Sequence, residues 1–195
     1  MNSNNIIKFS IFIVFLGLLT ALYYRRVDHI YRTSAALLGL SLPLWVPKVY
    51  NPSEGIVRKV LSPIYDDRVM IVFSIFIAVH VSLVNVPFTT VDLFHKEWRD
   101  ADVISHFLGG MTIWMIIASV LREFKLNWRK LIFYSILLFY TLAIGWEILE
   151  KLSESQISFI AETLQNKIRD VISDSLGMLL GIIIEKERIT SYQQS

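Results

Sequence analysis

Six predominantly apolar runs, each about as long as a bilayer is thick, decide what this chain can fold into. They occupy positions 7–24, 33–50, 69–88, 102–121, 131–150 and 167–184. A helix needs roughly 20 such residues to cross the hydrocarbon, fewer where its flanks snorkel. Backbone N–H and C=O groups find no partner in lipid, so a spanning segment must satisfy them internally, and a helix does so residue by residue. The expected fold class is therefore all-α: a polytopic membrane helix bundle of about six transmembrane helices, forming a single domain over 1–195. Composition agrees, because only 18% of the residues are charged, against about 25% in soluble domains. The 12 Phe, 8 Tyr and 5 Trp are the aromatic load that membrane interfaces use.

Phe9 to Tyr24 carries no charge and is preceded only by Lys8, with no small-residue cleavage pattern at its end. It reads as an uncleaved first span rather than a signal peptide. The second run contains Pro43 and Pro47, which would kink it, and the third holds His80 in mid-span, where a packed, hydrogen-bonded imidazole is expected. Positions 51–68 are polar with two prolines and read as a loop or interfacial segment. Counting Lys and Arg in alternate connections puts 11 on the side of both termini and 8 on the other. That bias predicts a multi-pass protein of the cell membrane with both termini cytoplasmic.

Ionisable residues gather in the last three spans. Span four opens with Asp102 and His106, one turn apart on a shared face. Span five closes with Glu147 and Glu150, again on one face. Span six opens with Asn166, Asp170 and Asp174, followed by Gly177 and Gly181, all five within an arc of about 80° at 100° per residue. Because successive spans alternate in direction, these three ends meet on one side of the membrane, the extracytoplasmic side by the charge count. Such acids normally face the bundle interior, a partner or water. A divalent transition metal ion held by His106, Glu147, Asp170 and Asp174 is one way to balance their charge, and shared protons are another. Glu150 and Asp102 are the candidate catalytic carboxylates, as general base or as partner to a ligand. Asp102, Asn166 and Asp170 also suit the N-termini of helices, where unpaired N–H groups favour an oxygen acceptor. Gly177 and Gly181 predict a close helix contact.

Other chemistries are excluded or unsupported. Zero cysteines rule out disulfides, thiolate metal sites and cysteine nucleophiles. A net charge of +2 without a basic stripe gives no reason to expect nucleic acid. Phosphate-binding and dinucleotide glycine loops, the Gly-x-Ser-x-Gly elbow and HExxH are absent. Asp92, His95 and Glu97 read by default as a solvated loop, with a rim to the site as the alternative.

The C-terminal half, about 100–184, resembles the YjdF-like family of small prokaryotic membrane proteins. The likeness rests on Asp102-Val103-Ile104-Ser105-His106-Phe107-Leu108-Gly109-Gly110, on Gly145-Trp146-Glu147-Ile148-Leu149-Glu150, and on the run from Asn166 through Asp170 and Asp174 to Gly177. The family pattern has Asp where this chain has Asn166, Thr where it has Lys167, and a spacer before the Trp that is missing here. A looser likeness to VanZ-like membrane proteins lies in Asp102-x-x-x-His106 and in Asp174-x-x-Gly177-x-x-x-Gly181. Both resemblances imply a multi-helix membrane protein with a polar cluster, and neither implies a particular reaction. The residues themselves suggest a metal-dependent enzyme acting on a lipid or lipid-linked substrate that enters sideways. A proton- or cation-coupled transporter and a non-catalytic assembly or regulatory protein are the alternatives.

Overall fold

A computed structural model describes residues 3–84, 99–153 and 164–192, which are mostly helical, with no strand among them. Among the described residues seven α-helices follow one another: α1 Ser3–Tyr23, α2 Val27–Val49, α3 Ile56–Val60, α4 Asp67–Val79, α5 Arg99–Arg122, α6 Trp128–Ser153 and α7 Leu164–Tyr192. A 3₁₀ turn over Ser62–Tyr65 precedes α4, and a π-helical turn over His80–Val84 follows it. By length and composition α1, Asp102–Arg122 of α5 and Trp128–Leu149 of α6 are long and apolar enough to cross a membrane. Contacts group the chain into two compact units, Met1–Ser105 and His106–Ser195, the division falling inside α5.

In the first unit α1 packs on α2 and α4. Ile7, Ser10, Val14, Gly17 and Ala21 of α1 are buried, a 3-4-3-4 spacing that keeps one seam of mostly small residues facing its partners. Val14, Leu40 and Val81 form the core, with Ile11, Leu37, Phe73 and Ile77 packed around it. Phe9, Phe12, Phe15 and Leu19 point outward, an apolar surface that suits lipid and not water. The α1–α2 connection is a tight reversal. Arg25 adopts φ 56°, and the Arg26 N–H donates to Ala21 O at 2.9 Å, the hydrogen bond of a left-handed helix cap.

α2 runs through both Pro43 and Pro47 as one helix. The polar 51–68 stretch holds α3 and the 3₁₀ turn; there the Tyr65 hydroxyl donates to Tyr50 O at 2.5 Å, and Arg58 lies 4.3 Å over the Tyr65 ring. Asp66 caps α4 by accepting from the Arg68 N–H at 3.1 Å. α4 closes at Val79 and continues as the π turn, so helical structure covers 69–84 of the third apolar run. Positions 85–88 of that run lie outside the described residues. Ring nitrogen Nδ1 of His80 shares a 2.7 Å hydrogen bond with the Ser105 hydroxyl.

In the second unit three long helices pack pairwise. The fully buried Trp114 of α5 donates its indole N–H to the Ser135 hydroxyl of α6 at 3.0 Å. Tyr140 of α6 and Ser175 of α7 share a 3.0 Å hydrogen bond. α5 and α7 meet through glycines: a methyl at Gly177 would collide with the Phe107 carbonyl, one at Gly110 with the Asp174 backbone, and one at Gly181 would lie 2.9 Å from the Trp114 ring. These positions are tight because backbone, rather than the end of a flexible side chain, fills most of the space.

α7 is built inside out. Asp170, Gly177, Gly181 and Glu185 are buried, while Ile168, Ile172, Leu176, Leu179 and Ile183 are exposed on the other side. A surface helix of a soluble protein shows the reverse arrangement.

Candidate functional site

The glycine crossing of α5 on α7 places the site. His106 stands one turn before Gly110, and Gly110 abuts the backbone of Asp174, so the imidazole necessarily lies beside the first turns of α7. Its Nδ1 is 3.4 Å from both carboxylate oxygens of Asp174, and its Nε2 is 4.0 Å from Oδ2 of Asp170. Each ring nitrogen thus faces a different acid. Asp170 is 1% exposed; its Oδ2 accepts from the Asn166 side-chain amide at 3.3 Å, and its Oδ1 is 3.7 Å from Nε of Arg169.

Glu147, from the end of α6, meets Lys167: Oε2 and Nζ are 3.4 Å apart and both residues are buried. Lys167 precedes Asp170 by three residues on α7, so the pair stands beside the His106 cluster along that helix. Asp102 lies one turn before His106 on α5. The side chain of Glu150 lies outside the described residues, as do Asp92, His95 and Glu97.

The start of α5, the end of α6 and the start of α7 therefore supply these groups, as their alternating directions require, and His106, Asp170 and Asp174 come into contact. Sequence reasoning missed the counter-charges. Lys167 and Arg169 were visible only as flanking cations, yet each sits against a buried carboxylate. The signal was their placement one position from, or one turn before, Asp170 on a helix whose buried face was already assigned. A second buried network, Arg122 with Glu185 at 3.3 Å and Arg188 with Glu185 at 3.5 Å, joins α5 and α7 and was likewise not anticipated.

Chemically, the arrangement offers an imidazole whose two nitrogens face different acids, only Nδ1 within hydrogen-bond reach, a deeply buried carboxylate, and two cations that moderate the repulsion among Glu147, Asp170 and Asp174. Such a site can hold a cation or pass a proton. Comparison of the chain with protein-family models, with curated proteins and with solved structures finds no match.

Proposed function

We propose that this is a six-span membrane protein, with both termini in the cytoplasm, whose second unit carries a divalent transition metal centre acting on a lipid or lipid-linked substrate. The observation that carries the reading is the placement of His106 between two carboxylates. With the proton on Nδ1, Asp174 accepts a hydrogen bond from it and orients the ring, leaving Nε2 as a ligand, the carboxylate–histidine–metal arrangement. The 4.0 Å from Nε2 to Asp170 is too long for a hydrogen bond. A metal held there would draw the two groups closer together and supply a Lewis acid at this position.

His106 and Asp170 are then the ligands and Asp174 orients the imidazole. Asp102, one turn earlier on α5, would be the general base of this reading. Glu147, engaged by Lys167, adds a fixed dipole rather than a ligand. The inside-out face of α7 supports counting it among the spans, although its charge keeps it out of a hydropathy-based assignment. A lipid substrate suits the exposed Trp146, Ile148, Ile168 and Ile172 on the helices that bear the site. The motif resemblance to YjdF-like proteins involves the same residues.

A proton-relay reading draws on a different observation: Lys167 and Arg169 already balance two of the carboxylates. Metal stoichiometry of the purified protein in mild detergent, after dialysis against a weak chelator, separates the two. The metal centre predicts about one zinc, manganese or iron per chain, lost in His106→Ala and Asp170→Asn. A wild type that stays metal-free when these ions are supplied refutes it and leaves the relay.

A further inference from the structure

The opposite end of the second unit has the opposite electrostatic character. α5 ends at Arg122, a tight turn follows in which the Lys125 N–H donates to Arg122 O at 2.9 Å, and Asn127 caps α6 by accepting from the Lys130 N–H at 3.0 Å. The turn therefore projects Lys125, Arg129 and Lys130, all exposed, from a short and rigid connection. The end of α7 is tied to the same place by Glu185, whose Oε2 is 3.3 Å from Arg122 and 3.5 Å from Arg188. One carboxylate oxygen thus serves two guanidinium groups. Exposed Lys186 stands beside them. Six basic side chains accompany two acidic ones, Glu123 and Glu185, among the described side chains here. Phe124, Ile183 and Ile184 are exposed apolar groups at the same helix ends.

We infer that this end of the second unit is a binding site for the headgroup of an anionic phospholipid. Glu185 holds Arg122 and Arg188 side by side, with Arg188 the more exposed of the two. Lys125, Arg129, Lys130 and Lys186 surround it with mobile charge. The guanidinium fork of Arg188 matches the geometry of two phosphate oxygens, and Phe124 with Ile183 and Ile184 receives the upper acyl chain. Basic groups beside a bilayer select anionic headgroups over zwitterionic ones. The inference is independent of what the His106 cluster does.

The test uses the full-length chain in mild detergent with equimolar phosphatidylglycerol and phosphatidylcholine, counting bound lipids by native mass spectrometry. The wild type is expected to retain phosphatidylglycerol at least about tenfold over phosphatidylcholine, with the ratio falling as salt rises. The exposed-residue variant Lys125→Gln/Arg129→Gln/Lys130→Gln/Lys186→Gln should bring the ratio close to one without lowering the melting temperature. Arg188→Gln should lower it several-fold. Lys151→Gln, at the far end of α6, should leave it unchanged. Equal retention of the two lipids by the wild type, or a preference that survives in the quadruple variant, overturns the inference.

Discussion

Gly177→Ala adds a single methyl group, and the structure says where it goes. It meets the carbonyl of Phe107 head on and lies 2.8 Å from both the Met111 nitrogen and the Phe107 carbonyl carbon. All three are α5 backbone atoms, so relief requires moving one helix against another by about an ångström. A gap of 0.5–1 Å forfeits roughly a quarter to a half of each dispersion contact along the seam, and overpacking of this kind costs about 1–3 kcal/mol. In a chain of this size that is a melting-temperature drop of about 2–12 °C.

Gly145→Ala is the internal control. Nothing lies within 4 Å of a methyl there, and replacing Gly by Ala inside a helix gains about 1 kcal/mol. Scanning fluorimetry of both variants in the same detergent measures the contrast. If Gly177→Ala melts at or above the wild type, the α5–α7 crossing is not as described. The placement of His106 against Asp174, which depends on that crossing, falls with it.

Arg25→Gly should stabilise by about 1 kcal/mol, read as a higher melting temperature, because Arg25 holds a left-handed conformation at φ 56° that only Gly adopts without cost. Ser135→Ala should cost about 1–3 kcal/mol by leaving the buried Trp114 N–H unpaired, with Trp114→Phe/Ser135→Ala recovering part of it in a double-mutant cycle. Glu147→Gln should destabilise by about 3 kcal/mol through the buried Lys167 charge left behind, and Glu147→Gln/Lys167→Met should recover most of the loss. Reporter fusions after residue 195 and within 89–98 should read opposite sides of the membrane. The same side for both would contradict the six-span topology.

Apolar length located every long helix, because the demand that lipid places on backbone groups is written residue by residue. Helix direction and a 100° step were also enough to bring His106 to Asp170 and Asp174. The path of α2 through Pro43 and Pro47 was less legible, since it depends on what neighbouring helices do for the freed carbonyls. The π turn after Val79 was hidden for a similar reason: neither apolar length nor the spacing of side chains distinguishes an α from a π turn. Lys167 against Glu147, and Arg122 against Glu185, are contacts between helices whose rotational setting depends on the glycine crossing. One-dimensional spacing puts a residue on a face but does not select its partner on another helix.

Entry of α7 into a bilayer by itself would expose Lys167, Arg169, Asp170 and Asp174 to hydrocarbon, at about 2.5–3.5 kcal/mol for each charge near the centre and less toward the ends. α5 and α6 supply what removes that cost: an imidazole for the aspartates, a carboxylate for Lys167, and a groove that only glycines fit. Both are synthesised first. In the six-span reading, chain order places the partners of this polar seam ahead of α7. A rearranged gene encoding α7 ahead of α5 would demand membrane insertion of a helix whose polar seam has nothing to meet.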